Sequence, residues 1–336
     1  MISPLFKSNL LTQPSISVVI PVYNGAHWLP SLIPALLAQS VASACEFIFI
    51  DSGSGDNSVE IIQQFPVKLL VIPQHEFDHG GTRNLGVSEA RGKYVVMTVQ
   101  DALPADDMWI EKLMQGFVNE HVAGVCGIQI VPWREDYNPV SWYRPVSAGE
   151  TVVYGFENIE EFNELPAPEK SRICSWDNVT AIYKRSVLLE IPFRKISFGE
   201  DAAWALDCLR GGYQVAYLPD AKVYHYHHET PGYAFRRYFS VMYVKYKLFG
   251  FRYSIPDFGT SEKLKLVYRL IKNNRIGWFA KWKWYKYNHM LKTQFKAALT
   301  LFNEQLRLGD FALDMTYERT CKTAPLAPSP AINEKA

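Results

Sequence analysis

Short runs of β-branched and aromatic residues alternate with helical stretches over the first hundred residues, and this alternation constrains the fold more than any other feature. The runs cover residues 16–22, 47–51, 67–73 and 93–99, and helical patterns cover residues 28–39, 59–65 and 81–92. Strands separated by helices pair in parallel, because a right-handed crossover returns the chain to the same sheet. The sequence therefore predicts an α/β fold with a mostly parallel sheet flanked by helices.

The alternation fades after Asp101, and the following segments are less regular. Residues 132–170 are rich in Pro, Tyr, Trp and Glu and are predicted to be irregular. The later patterns predict helices over 177–190 and 200–212 and strands over 213–219 and 222–228. Long helical stretches follow residue 232, which predicts a C-terminal helical extension.

Composition excludes several classes of protein. The chain has 336 residues, of which 48% are apolar and 21% charged, so it can form one large globular domain with an appendage. Residues 1–15 lack the apolar segment of a signal peptide, and no apolar run is long enough to predict a transmembrane helix. Five scattered cysteines without a CxxC pair argue against a disulfide framework or a zinc site, and they fit a reducing cytoplasm.

The charge is distributed unevenly along the chain. Residues 231–317 contain 16 Lys and Arg against 5 Asp and Glu, a net charge of +11, and the remaining residues carry −10. Aromatic residues concentrate in the same basic segment, which favours an anionic surface as partner. Alternatively, these aromatic residues pack the C-terminal helices onto the rest of the chain or form a homodimer. A nucleic-acid surface is disfavoured, because no base-reading motif accompanies the segment.

Two acidic residues end apolar strands, where packing gives no reason for an acid. Asp51 can accept hydrogen bonds from a nucleoside base or ribose, or it can cap the turn SGSGDNS that follows it. Asp101 can bind a divalent ion that bridges a diphosphate, or it can cap the helix that begins near Asp106. The sequence has neither a GxGxxG nor a GxxxxGK[ST] motif, which disfavours Rossmann dinucleotide binding and P-loop chemistry.

Three further clusters are candidates for chemistry. The segment FDHGGTRN places two glycines before a helix that carries Arg83, which predicts either an anion site or a simple turn. Glu200 and Asp201 open a helix, where they either complement its dipole or supply a general base. His225 and His227 lie two residues apart, so on a strand they share one face and can meet the same ligand.

The order of these motifs resembles the family 2 inverting glycosyltransferases with the GT-A fold. The resemblance rests on SVVIPVYNG, FIFIDSGSGDNS, TRNLGVSEARGKYVVMTVQDA and FGEDAAWALDCLRGGYQVAYLPDAKVYHYH, and it spans roughly residues 15–240. FDHGGTRN, VQDA and DNVTAIYKRSV further resemble the bacterial rhamnosyltransferases that use dTDP-L-rhamnose. The resemblance implies an inverting transfer, with L-rhamnose passing to a hydroxyl of a lipid-linked cell-surface polysaccharide such as an O-antigen.

The resemblance also implies roles for individual residues. It assigns donor binding to Pro21, Tyr23, Asp51, Arg83 and Gln100, metal binding to Asp101 and His225, and the general base to Asp201. Candidates for the acceptor or sugar pocket are Trp176, Asp177, Asn178, Glu200 and His227. For Asp177 and Asn178, capping of a helix is an equally good interpretation. One departure concerns the metal: the family's DxD or DDD is VQDA here, so a single carboxylate would hold Mg²⁺ or Mn²⁺.

The remaining expectations concern organisation and partners. The resemblance implies a GT-A domain (15–230, with donor part 15–101 and acceptor part 102–230), and composition and charge predict an N-terminal extension (1–14), a basic aromatic helical region (231–320) and a disordered tail (321–336). The resemblance also implies a cytoplasmic protein peripherally bound to the inner membrane. The alternatives are a UDP- or GDP-sugar donor, or a nucleotide-sugar-binding protein without transferase activity. A nucleotidyltransferase is disfavoured, because PVYNGAHW after the first strand lacks the basic residues of such enzymes.

Overall fold

The structure is a computed structural model that describes residues 14–134, 136–140, 149–196, 198–254, 260–322 and 326. The predicted extension (1–14) lies outside the described residues except for Pro14, as does the predicted tail (321–336) except for residues 321, 322 and 326.

Nine strands are present within the described residues and form one sheet. They are β1 (Ile16–Val22), β2 (Cys45–Asp51), β3 (Lys68–Val71), β4 (Tyr94–Thr98), β5 (Leu103–Pro104), β6 (Val122–Ile130), β7 (Val152–Tyr154), β8 (Thr180–Lys184) and β9 (Gln214–Tyr224). The helices are α1 (Leu29–Leu37), α2 (Ser58–Ile62), α3 (His79–Glu89), α4 (Trp109–Gln115), α5 (Ile159–Glu164), α6 (Ala167–Ile173), α7 (Arg185–Glu190), α8 (Glu200–Arg210), α9 (Pro231–Phe249), α10 (Thr260–Lys272), α11 (Trp278–Leu308) and α12 (Asp310–Cys321).

The strand order β3-β2-β1-β4-β8-β6-β9-β5, with β7 also paired to β9, determines where the functional side chains meet. Strands β1 to β4 pair in parallel, which confirms the fold predicted for the first hundred residues. Strand β8 runs antiparallel between β4 and β6, and β6 pairs in parallel with β9. The carboxyl ends of β1, β2, β4, β6 and β9 and the amino end of β8 therefore lie along one edge of the sheet.

Three secondary-structure predictions beyond Asp101 were wrong. Residues 177–190 form β8 followed by α7, because a short apolar run buried on both faces has no period that separates strand from helix. The two strands predicted over 213–219 and 222–228 are one strand, β9, which continues through Pro219 at a register irregularity of the β6–β9 pair and ends at Tyr224, before the histidines. Residues 132–170 include β7, α5 and α6 in their described parts.

The C-terminal helices differ in how they are used. Helix α9 buries Phe239, Met242 and Tyr243 in the main core, so the aromatic residues of RRYFSVMYVKYK serve packing rather than an open surface. Helices α10 and α11 have a small separate core of Leu266, Leu270, Ile276 and Trp284. Within the part of the chain that the structure describes, no helix combines the length and apolarity needed to cross a bilayer.

Candidate active site

The loops that follow β1 and β2 are interlocked by hydrogen bonds from backbone to side chain. The Asn24 amide donates to Ser54 Oγ (2.8 Å) and the Gly25 amide donates to Ser58 Oγ (2.8 Å). The Ala26 amide donates to the Asp56 carboxylate at 3.1 Å. Sequence analysis did not single out these partners, although turn-forming residues in SGSGDNS signalled side chains that bond to backbone. The loops together form a fixed rim at the carboxyl edge of the sheet.

Asp51 and Gln100 both stabilise this rim. Asp51 is fully buried, and one of its carboxylate oxygens accepts from the amides of Gly53 (3.0 Å) and Ser54 (2.9 Å), as the capping interpretation requires. The Gln100 amide pairs with the backbone of Tyr23 in both directions, at 2.8 and 3.0 Å. Tyr23 itself is exposed, and its hydroxyl accepts from Gln74 Nε2 at 2.7 Å.

Asp101, His225 and His227 converge beyond the ends of β4 and β9. His225 Nε2 lies 3.5 Å from Asp101 Oδ1, and His227 Nε2 lies 3.3 Å from Asp101 Oδ2. One possible ligand atom from each residue lies within 4.8 Å of the others. Burial would raise the pKa of Asp101, but the two imidazoles outweigh it and hold that pKa below its usual range. The carboxylate is therefore ionised and available for a cation, and His227 joins the two ligands that the family resemblance implied.

Gln129, at the end of β6, orients His225. Its Nε2 donates to the Asp177 carboxylate, so its Oε1 is the atom that faces His225 Nδ1, at 2.6 Å. Nδ1 then carries a proton, so in the neutral imidazole that binds a metal the lone pair of Nε2 is directed at the cluster. Nε2 is buried and has no hydrogen-bond partner among the described residues. An unprotonated imidazole nitrogen facing a carboxylate and a second imidazole is a donor set that fits a divalent transition ion.

A cavity of about 480 Å³ opens beside this cluster. Its walls include Asp101, His225, Trp28, Tyr137 and Arg134. Sequence analysis did not single out Arg134, and no local pattern marks it. Arg134 is the arginine that lines the space next to the carboxylate, which is the place expected for Arg83.

Arg83 is buried in an ion pair instead. Its Nη1 lies 2.8 Å from Glu200 Oε1 and also donates to the carbonyl of His79 (3.0 Å). The amide of Gly81 donates to Asp78, which caps α3 (2.7 Å), so this helix terminus already has a partner. The segment FDHGGTRN therefore does not form an open anion site, because its guanidinium and its helix terminus both bind groups of the protein itself. Glycines followed by an arginine at a helix start also occur where a helix packs closely against its neighbours.

The same segment positions the helix that carries Asp201. A Cβ on Gly80 would lie 1.9 Å from the carbonyl oxygen of Arg194, so only glycine allows α3 to approach this loop. Asn84 fixes the loop by bonding both the amide (3.0 Å) and the carbonyl (2.8 Å) of Phe193. Gly199 then turns the chain into α8 with φ of +81°, a conformation that favours glycine.

Asp201 is a partly exposed carboxyl beside two other acids. Burial raises the pKa of Asp201 well above its ordinary value, and the carboxylates of Glu200 and Asp177 raise it further. The Ala202 amide, which donates to Asp201 Oδ1 at 2.7 Å, and the Arg83 guanidinium oppose this shift. The charge of Asp201 in turn raises the pKa values of the buried Cys126, Tyr183 and Tyr217, after the larger effect of their own burial. A carboxyl held in this way accepts a proton more readily than an ordinary aspartate, which suits a general base.

Three residues of the expected acceptor pocket, Trp176, Asn178 and Glu200, lie in the interior. Trp176 is 4% exposed, packs on Trp204 and Tyr217, and donates through Nε1 to the Tyr183 hydroxyl at 2.6 Å. Asn178 accepts from the same hydroxyl and donates to Glu200 Oε1 at 3.1 Å. Trp176 and Asn178 thus support Glu200 from behind. Asp177 caps the turn before β8 by accepting from the Val179 amide at 2.9 Å.

Comparisons with solved structures support the architecture. S. aureus TarS 1-349 superposes with a TM-score of 0.52 at 14% identity, over 88% of this chain and 92% of that chain. The same TarS fragment in complex with UDP-GlcNAc gives a TM-score of 0.52 at 14% identity, over the same shares. Likeness at this level of identity establishes a shared GT-A fold.

Comparisons of sequence identify the family. The O-antigen chain rhamnosyltransferase RfbN of Salmonella typhimurium is 32% identical over 67% of this chain and 70% of its own length. The O-antigen chain rhamnosyltransferase WbaN of Salmonella anatum is 31% identical over 68% of this chain and 71% of its own length. The family model for glycosyl transferase family 2 matches residues 17–185, just over half of the chain. Together with the GT-A sheet and the acids along its edge, these matches show that the chain belongs to glycosyl transferase family 2.

Proposed function

We propose that this glycosyltransferase moves L-rhamnose from dTDP-L-rhamnose to a hydroxyl of a growing cell-surface saccharide, with inversion at the anomeric carbon. The observation that carries the proposal is the pairing, along one sheet edge, of an Asp–His–His cluster with a separate carboxyl, Asp201, of raised pKa. Two relatives named as O-antigen rhamnosyltransferases support the choice of sugar. A UDP- or GDP-sugar donor is the alternative within the same reaction.

The donor lies across the rim and the adjoining cavity in this proposal. Pro21 and Tyr23 hold the base and ribose, and Gln100 bonds to the backbone of Tyr23. The exposed Tyr23 ring supplies a face for the base, and the buried Asp51 keeps the loop in shape. Arg134 lines the cavity beside Asp101 and pairs with the exposed Asp136 at 3.0 and 3.1 Å, so it would bind the diphosphate by exchanging that partner. Arg83 acts only indirectly, as the counter-charge of Glu200.

Asp201 is the general base of the proposed reaction. It takes the proton from the acceptor hydroxyl while that oxygen forms its bond to the anomeric carbon and the bond to the diphosphate breaks. The transition state has oxocarbenium character, so the base acts on the face opposite the leaving group. Asp101, His225 and His227 would hold the divalent ion, which when bound would supply positive charge beside the departing diphosphate. Two imidazoles in the donor set favour Mn²⁺ over Mg²⁺, which prefers oxygen ligands.

Replacing Gln129 by Met is expected to weaken Mn²⁺ binding by about 10–100-fold, because outer-sphere partners that orient a ligating histidine have effects of this size. The variant removes the acceptor that holds the proton on His225 Nδ1, so Nε2 is no longer fixed as the unprotonated nitrogen. Titration calorimetry with Mn²⁺ alone measures the effect without turnover. Gln64→Met, at an exposed position after α2, is the control, and equal affinities in both variants would contradict the role of Gln129.

Thermal shift with a panel of dTDP-, UDP- and GDP-sugars tests the donor. We expect dTDP-L-rhamnose to raise the unfolding midpoint most, because a ligand that binds only the folded state stabilises it in proportion to its affinity. Stronger stabilisation by a UDP- or GDP-sugar would overturn the rhamnose assignment and leave the transferase assignment intact. Stabilisation by a donor that is never turned over, with or without a saccharide, would instead indicate a binding protein.

The acceptor is proposed to be a saccharide carried on a membrane lipid, reached by a protein that binds the cytoplasmic face of the inner membrane peripherally. The relatives named for O-antigen chains support a polymeric saccharide as acceptor. The net charge of +11 over residues 231–317 supports contact with an anionic membrane.

A further inference from the structure

The helices α10 and α11 form a hairpin whose outer face has no partner among the described residues. Phe279 is 94% exposed and Trp278 is 74% exposed, and both lie where the connecting loop enters α11. Four more large apolar side chains are at least half exposed on the two helices: Leu264, Tyr268, Ile271 and Trp282. The small core between the helices already contains Leu266, Leu270, Ile276 and Trp284, so the outer residues are not needed to hold the hairpin together.

Basic groups surround the exposed rings. Lys281 lies 5.1 Å from the centre of the Trp278 ring, Lys286 lies 5.0 Å from that of Trp282, and Lys272 lies 5.8 Å from that of Tyr268. Residues 260–292 contain nine Lys and Arg and one Glu, a net charge of +8. Exposed aromatic rings with ammonium groups beside them suit the headgroup level of an anionic bilayer.

We infer that this hairpin is the surface through which the protein binds an anionic phospholipid bilayer, an inference that rests on the proposed lipid-linked acceptor. Trp278 and Phe279 enter the headgroup layer first, and the lysines bind lipid phosphates beside them. The charge argues against a second copy of this chain as the occupant, because a symmetric contact would bring +8 against +8. The contact lies in α10 and α11 and not in α9, which buries Phe239, Tyr243 and Phe249 in the main core.

Sedimentation of the full chain with vesicles tests the assignment. We expect binding to phosphatidylcholine vesicles that contain about 30% phosphatidylglycerol in about 50 mM salt, and release in about 500 mM salt, where charges are screened. Pure phosphatidylcholine vesicles should leave the protein in the supernatant. The double variant Trp278→Ser, Phe279→Ser should lower the partition coefficient about tenfold or more, and Lys286→Gln about fivefold.

Phe311→Ser is the matched control, because Phe311 is equally exposed but lies on α12, outside the hairpin. Its binding to anionic vesicles should equal that of the unchanged protein. Absence of binding at low salt, binding that salt does not weaken, or equal losses in Phe311→Ser and the hairpin variants would overturn the inference. The unchanged protein could instead fail to bind vesicles but self-associate or bind nucleic acid. If the hairpin variants abolish that association, the surface belongs to that partner and the inference is overturned.

Donor turnover in vesicle-free solution separates this inference from the proposed function. The double hairpin variant should hydrolyse the sugar nucleotide as fast as the unchanged protein, because neither ring lines the candidate cavity. Loss of vesicle binding with turnover intact supports the surface assignment. Failure of the unchanged protein to turn over any donor would contradict the proposed function and leave vesicle binding as a separate result.

Discussion

Asp201→Asn is expected to lower kcat by about 10²–10⁴-fold, the usual contribution of a general base. The same change should raise the thermal unfolding midpoint, and the sign follows from proton linkage. The pKa of Asp201 is higher in the folded than in the unfolded protein, so the stability it contributes is complete below the unfolded pKa and is lost as pH rises through the folded pKa. At neutral pH the ionised Asp201 therefore destabilises the folded protein. Asparagine removes this charge, and its Oδ1 can still accept from the Ala202 amide.

Asp207→Asn, on the same helix, is the matched control for that experiment. Asp207 pairs with Arg194 at 2.5 and 2.7 Å, so its loss should lower the unfolding midpoint and leave kcat nearly unchanged. The pH profile adds an independent test. As the pH is lowered, kcat/KM should fall with an apparent pKa higher than the value of about 3.9 for an ordinary aspartate. Wild-type turnover in Asp201→Asn would exclude Asp201 as the base.

Asp101→Asn is expected to abolish tight Mn²⁺ binding and to lower kcat/KM at least about 100-fold. Asp101 is the only anionic member of the Asp–His–His cluster, and asparagine has no charge to attract the ion. The rate should fall because stabilisation of the charge on a leaving group by a metal ion contributes several kcal/mol. Calorimetry with Mn²⁺ and steady-state kinetics measure the two effects separately. The far-UV circular dichroism spectrum and the thermal unfolding midpoint should stay close to those of the unchanged protein, because Asp101 lies outside the hydrophobic cores.

Asp107→Asn controls for the loss of a negative charge near the cluster, because Asp107 is an exposed acid six residues further along the chain. Its metal affinity and kinetics should match those of the unchanged protein. Equal effects of both substitutions, or full activity of Asp101→Asn in a metal chelator, would contradict metal binding at Asp101.

The sequence predicted the sheet edge well because strand ends and side-chain periodicity are local features. Asp101 follows a buried strand, and the spacing of His225 and His227 places both on one side of the chain, as in the structure. By contrast, Gln129 could not be found, because its role depends on β6 pairing with β9 and β8, which are distant in sequence. Long-range pairing of this kind leaves no periodic signal.

Arg83 and Trp176 show why residue type alone misplaces a site. A guanidinium after two glycines fits an anion site, but the same residues allow a close helix contact in which Arg83 pairs with Glu200. Trp176 next to two polar residues was a candidate for the acceptor or sugar pocket, yet its ring packs in a buried aromatic cluster. In both cases the deciding partner lies far along the chain. Similarly, the basic aromatic segment gave no indication that α9 would be buried and the α10–α11 hairpin exposed.

The stereochemistry of donor hydrolysis tests the central claim most directly, because water can replace the unidentified acceptor. The unchanged protein is mixed with dTDP-L-rhamnose and Mn²⁺, and proton NMR follows the released sugar before its anomers equilibrate. A single displacement assisted by Asp201 predicts that the first anomer detected has the configuration opposite to that of the donor, and that Asp201→Asn releases it far more slowly. Release of the anomer with retained configuration, or an unchanged rate in Asp201→Asn, would contradict the account.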